Sequence, residues 1–269
     1  MTPGPAPAGP GTGAVAGADG GRLFGPDSVI RRVDGEAALL LGGGRALLMQ
    51  LAHPGVAQGV AEHSDFTHNP FARLRRTLDA TYTMVFGTPE QARAAADGIN
   101  AVHRRVTGPG YRASDPELLL WVHATLVDTA LRVVGRFLRP LPRAESERYY
   151  EESTVLAELL GVPRSAQPPD LAAFRTYVRH MVGSLQVSDE ARQVAHALLH
   201  PAVPAIVGPL AALSRQVSVG LLPVPLRRQY GFSWDPRRQA ALDAAALAAR
   251  TLLPLVPAPL RRLPVSSRS

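Results

Sequence analysis

The chain contains no cysteine. That absence excludes disulfides, thiolate metal sites, iron–sulfur clusters and a thiolate-ligated haem together. Lysine is missing too, so all 29 basic residues are arginine. Schiff-base chemistry and a phosphate-loop lysine are thereby excluded. Aromatic residues are few, at 6% of the chain. Long unbroken apolar runs are scarce as well. The greasiest stretch, AALLLGGGRALLMQLA over residues 37–52, is broken by three glycines and Arg45, and it falls short of the roughly 20 apolar residues a membrane span needs. No basic start followed by an apolar core opens the chain, so no secretory signal is read. The expectation is a soluble, cytoplasmic protein.

What is present is ample for a core: 269 residues, 46% of them apolar, the material of one large domain or two small ones. The net charge of +7 and the pI near 10.6 raise the question of nucleic acid. The arginines, however, are scattered in local pairs such as Arg227–Arg228, Arg237–Arg238 and Arg261–Arg262, and form no dedicated arm, so no nucleic-acid partner is expected. Residues 1–21, beginning MTPGPAPAGPGTGAVAGADG, cannot bury enough surface to fold and read as a disordered leader. A domain over 22–255 and a Pro/Arg-rich tail over 256–269 complete the division. The tail reads as a loose terminus, with peripheral membrane contact as its other use.

Apolar residues recur at three- and four-residue spacing nearly throughout, which predicts an all-α chain of about ten to twelve helices. The expected helices are 27–34, 36–52, 54–62, 70–86, 89–106, 116–139, 143–160, 170–184, 188–199, 204–220, 225–229 and 235–252. Thr88 with Pro89 and Asp115 with Pro116 mark two starts, since a side-chain cap followed by proline satisfies or removes orphan N–H groups. Pro140 stops the longest of the helices. No repeat of 20–50 residues is visible.

Eight histidines are the obvious chemical candidates, yet none stands in an H-E-x-x-H, H-x-H or E-x-x-H spacing, so zinc hydrolysis and a carboxylate di-iron site lack support. His103 is placed differently. On a helix it continues the stripe of Ala96, Ile99 and Val106, which fits either a core histidine or the proximal ligand of a haem iron. The second candidate region is NPFARLRRTLDA, residues 69–80. Arg73, Arg76 and Thr77 stand at i, i+3 and i+4 and share one helix face, whereas Arg75 points elsewhere. Two convergent guanidiniums bind an anion such as a haem propionate, or else pair acids of neighbouring helices.

The blocks LAHPGVAQGVAEHSDFTHNPFARLRRT, VHRRVTG, YRASDPELLLWVHATLVDTAL and YYEESTVLAELLGVP, in this order and spacing, resemble the bacterial and fungal family of the latex-clearing proteins (rubber oxygenases) and the MpaB-type oxygenase of mycophenolic acid biosynthesis. The resemblance spans about residues 28–250. It implies a globin-like helical core holding one b-type haem, with dioxygen and a hydrophobic small molecule as co-substrates and oxidative cleavage of isoprenoid double bonds as the reaction. Carried over by position, it makes His103 the proximal iron ligand and puts Arg73, Arg76 and Thr77 at the haem, with Arg76 where rubber oxygenases have lysine. An arginine cannot ligate iron, so a smaller isoprenoid is expected rather than rubber. Glu62, His63 and Asp65 are the nearby candidates for the base. His53, Asp115, Trp121, His123 and Asp128 are conspicuous without an assigned role. An apolar slot between helices 70–86 and 89–106 is expected for the porphyrin. The other readings are a non-enzymatic haem carrier or sensor, a scaffold of the same fold, and a hydrolase using His63 and Asp65, which has no nucleophile motif behind it.

Overall fold

A computed structural model describes residues 21–63, 70–200 and 207–262, except for the side chains of 70–77, 210, 259 and 260. The leader over 1–20, the end of the tail over 263–269 and Asp65 lie outside the described residues. The architecture is all-α. In chain order the elements are α1 (Val29–Asp34), a 3₁₀ turn (Ala37–Gly42), α2 (Gly43–Leu51), α3 (Pro54–His63), α4 (Pro70–Phe86) and α5 (Pro89–Arg105). A short hairpin, β1 (Thr107–Gly108) and β2 (Tyr111–Arg112), leads to α6 (Pro116–Phe137) and α7 (Arg143–Leu159). The rest comprises α8 (Leu171–Ser184), α9 (Asp189–Leu199), α10 (Gly208–Leu221), α11 (Val224–Gln229), α12 (Pro236–Leu252) and α13 (Ala258–Arg261).

The helix starts follow from local chemistry. The Thr88 hydroxyl accepts from the Gln91 N–H at 3.3 Å while the Gln91 amide oxygen accepts from the Thr88 N–H at 2.9 Å, a reciprocal capping box. Asp115, Asp170, Ser188 and Asp235 each accept a backbone N–H in the first turn of α6, α8, α9 and α12.

α6 runs through the middle, packed by α1, α2, α7, α8, α12 and the 3₁₀ turn. It buries apolar residues around most of its circumference, from Leu119 to Phe137, and each such side chain stabilises by about 1.5–3 kcal/mol. By length and composition α6 is the one helix among the described residues able to cross a membrane. The reading that the 37–52 stretch is the greasiest in the chain missed this, because Trp121, His123 and Asp128 interrupt it to the eye. In this fold α6 is the core helix, and most of it is buried inside the protein.

Polar ties fix α6 against α2 and the C-terminal helices. Trp121 is fully buried and its indole N–H donates to the Met49 carbonyl at 3.1 Å. Arg45, also fully buried, donates to the Leu221 carbonyl at 2.8 Å, to Thr129 Oγ1 at 2.5 Å and to Asp128 Oδ2 at 2.5 Å. One guanidinium thus joins α2, α6 and the end of α10. Gly44 permits the approach: a Cβ there would lie 2.2 Å from Ser218 Oγ.

The predicted helices fall close to the observed ones, with three differences. The 36–52 prediction divides into a 3₁₀ turn and α2 at the glycine run, where the backbone tightens to reach α6 and α10. The hairpin was not predicted. It ends α5 at Arg105, so Val106 is extended rather than helical (φ −90°, ψ 98°) and leaves the His103 stripe. The turn over Arg164–Ala166 and helix α13 were also missed.

Candidate functional site

The predicted residues fall on α3, α4 and α5. α4 and α5 are each 17 residues long and joined only by Gly87 and Thr88, and they pack closely as a helical hairpin. The first turns of α4 therefore lie beside the last turns of α5. Positions 73, 76 and 77 share one face of α4 by helix geometry; their side chains lie outside the described residues. On α5, Ala92 and Ala96 are buried and Ile99 packs on the core, and His103 is next along that inward stripe. His103 is half-buried, with its Nδ1 shielded from solvent.

α5 runs straight into the β1–β2 hairpin, which carries the end of α3 with it. His63 Nε2 lies 3.2 Å from the Thr107 carbonyl, which can only accept. Nε2 therefore holds the proton in the neutral ring, and Nδ1 carries the lone pair. The Glu62 carboxylate is engaged on both oxygens: Gln58 donates to Oε1 at 2.9 Å and the Tyr111 hydroxyl to Oε2 at 2.8 Å. Those two hydrogen bonds hold its pKa below the usual glutamate range, with Gln58 the larger cause. Both residues are exposed, at side-chain accessibilities of 37% and 42%.

Tyr111 was not anticipated, although it organises this end. Its ring is buried and lies against Gly59, where an added Cβ would come within 3.1 Å of Cε2. The available signal was Pro109–Gly110 between two short extended pieces, with Gly110 at φ 80°, a turn that places Gly108 opposite Tyr111.

The residues left without a role now have surroundings. Asp115 caps α6, its carboxylate accepting the Glu117 N–H at 2.9 Å. His53 Nδ1 accepts the Gly55 N–H at 3.2 Å, and burial lowers its pKa against the raising influence of Asp115 and Glu117. Asp128 and Trp121 belong to the core ties described above. His123 is buried within α6, its Nε2 has no hydrogen-bond partner among the described residues, and desolvation pushes its pKa down to about 4.

Two concave regions are formed by other elements: a groove of about 520 Å³ along α10 and the segment preceding α12, and a depression of about 370 Å³ between α7 and α8. The apolar slot expected between α4 and α5 borders side chains 70–77, which lie outside the described residues. Among the described residues no three His, Asp or Glu side chains converge to hold a bare metal ion. A single imidazole at the end of an apolar stripe, beside a helix bearing arginines, is what remains to be placed in a family.

The model of the ER-bound oxygenase mpaB/B'/rubber oxygenase catalytic domain matches residues 30–251. The chain belongs to this oxygenase family. Uncharacterized proteins of Mycobacterium bovis and Mycobacterium tuberculosis are each 28% identical to it over 211 residues, 73% of this chain and 82% of theirs. No solved structure matches at a significant level. The family match takes in α3, α4, α5, the hairpin and α6, and so covers His103, Glu62 and His63.

Proposed function

We propose that this member of the oxygenase family is a haem b-dependent enzyme that takes a hydrophobic substrate with a carbon–carbon double bond, of the isoprenoid kind, and cleaves it with dioxygen. One alkene and one dioxygen become two carbonyls, so the reaction balances without an external reductant. The observation that carries the reading is the placement of His103. A porphyrin supplies four nitrogens of its own and asks the protein for an imidazole on a dry wall, and the Ala92–Ala96–Ile99–His103 stripe offers one. Of that stripe Ala92, Ala96 and Ile99 pack on the core, and half-buried His103 at its end is the residue that would hold the group.

Haem, when bound, supplies the activation of dioxygen. The chain's own residues do the rest. His103 holds the iron. Arg73 and Arg76, permanently charged and one helical turn apart in sequence, would hold the propionates, and Thr77 would add a hydroxyl. Arg76 serves as a hydrogen-bond donor and never as an iron ligand. Of the two residues at the end of α3, His63 is taken as the proton acceptor, because its Nδ1 carries the ring lone pair and makes no hydrogen bond among the described residues, whereas each oxygen of Glu62 already accepts one.

Protein produced with adequate iron is expected to show an intense absorption band near ~400 nm, typical of histidine-ligated haem. His103→Ala should abolish it, the largest effect expected of any single change. A variant that folds and keeps the band removes the assignment. Oxygen uptake in step with carbonyl product, on adding a polyunsaturated isoprenoid to the reduced protein, separates the oxygenase from a haem carrier.

A further inference from the structure

The groove of about 520 Å³ is built by elements other than those bearing His103, and its chemistry is of one sign. No acid lines it, while Arg215, Arg238 and His200 do. Arg215, on the exposed side of α10, makes no hydrogen bond or ion pair among the described residues. Arg238 is anchored, donating from NH1 to the Ser233 carbonyl at 2.8 Å with Nε 3.5 Å from Asp235. His200 Nδ1 lies 3.1 Å from the His196 carbonyl, which leaves Nε2 for a ligand.

The rest of the lining is largely apolar. Leu199 and Val219 are buried, and Phe232 and Trp234 are half-buried. The Trp234 ring is held in place by the Arg227 guanidinium stacked 5.0 Å from its centroid and by its N–H donating to Gln239 at 3.0 Å. Phe232 stacks on Tyr230 at 5.3 Å. Aromatic and aliphatic side chains beside two guanidiniums, one free of ion pairs among the described residues and the other next to Asp235 outside the lining, suit a ligand with an apolar body and an anionic end. The volume is that of a small-molecule site.

We propose that this groove binds an amphipathic anion, an alkyl or prenyl chain ending in a carboxylate or a phosphate, with the head at Arg215 and Arg238 and the chain along Trp234, Phe232 and Val219. The site stands independently of the haem reading.

The test is calorimetric titration of the iron-loaded protein with laurate below its micelle concentration, with dodecyl phosphate and 1-dodecanol in parallel. Laurate or dodecyl phosphate should bind once per chain, the stronger of the two identifying the head, and dodecanol at least about tenfold more weakly. Arg215→Ala should weaken the anions about tenfold and leave dodecanol unaffected, because it removes one charge-assisted hydrogen bond. Arg237→Ala, an exposed arginine outside the groove, should change neither. The proposal is overturned if Arg215→Ala binds laurate and dodecyl phosphate as tightly as the native chain, if dodecanol binds equally well, or if both anions bind only with a shift of the haem band, which would place them in the oxygenase cleft.

Discussion

The junction of α2, α6 and α10 and the end of the molecule around His103 use the same residue types for opposite purposes. At the junction, Arg45 is fully buried and all its partners are supplied from within. At the other end Glu62 and His63 are exposed and His103 is half-buried, and the ties among the described residues include Gln58 and Tyr111 to Glu62, His63 to Thr107, and Asn100 to the Leu159 carbonyl. Charge that is fully satisfied inside the protein holds helices together, while charge left facing outward is available to a ligand. An aspartate or arginine in an oxygenase-family sequence therefore has no fixed meaning until its partners are known.

The sharpest way to break this comparison is Asp128→Ala. It strands the Arg45 guanidinium in the core, and removing one partner of a buried pair costs about 3–5 kcal/mol, a fall in Tm on the order of 10 °C. Thermal unfolding checks it, and haem absorption per folded molecule should stay at the native level. A variant that keeps its Tm but loses the haem band would move Asp128 from the core to the site.

The helical architecture was readable because α5, α6, α8, α9 and α12 announce their starts with Thr, Asp or Ser caps, and because the apolar spacing is regular. The candidate site was readable only in part. His103 stood out by its stripe. Asp128 and Trp121 did not reveal themselves as structural, since their partners, Arg45 and the Met49 carbonyl, lie some 70 to 80 residues away in sequence and no local pattern encodes that pairing. Tyr111 escaped notice for a related reason. Its importance depends on Gly59 and Glu62, about 50 residues earlier on another helix, and a bare Pro-Gly turn says nothing about what the following side chain will meet.

Two titratable groups elsewhere sharpen the contrast through pH. His123 is buried and its folded pKa, about 4, lies below the ordinary 6.5. Between those values the unfolded chain binds the proton and the folded one does not, so stability rises with pH through that window and erodes on acidification, by about 3 kcal/mol at pH 4. His123→Leu should flatten that loss in denaturant titrations between pH 6.5 and 4. If the slope is missing once the opposing titration of Asp34 is removed by Asp34→Asn, the imidazole is not buried in the neutral form.

Asp34 works in the reverse sense, with a shift at least as large. Its carboxylate is raised from 3.8 to about 7, chiefly by burial and further by the neighbouring Glu152, against the lowering effect of the Tyr149 hydroxyl that donates to it at 3.0 Å. The folded state keeps a proton that the unfolded chain has lost, so this contribution is complete below pH ~4 and disappears as pH rises through 7. Asp34→Asn retains an acceptor for Tyr149 and should remove the decline, leaving the His123 slope exposed over the same range.

The smallest expected effect lies at the oxygenase end. Tyr111→Phe deletes the hydroxyl that donates to Glu62 and keeps the ring on Gly59, so it should cost only about 1 kcal/mol. Losing that donor should also raise the Glu62 pKa, since the hydrogen bond stabilises the charged form. Side-chain carboxyl NMR of Glu62 would register the shift. If the same substitution moves the pH dependence of oxygen uptake, Glu62 takes part in proton handling. If the carboxyl titration shifts while the activity profile stays fixed, Glu62 serves only to anchor the hairpin that brings His63 alongside α5, and the base is to be sought at His63.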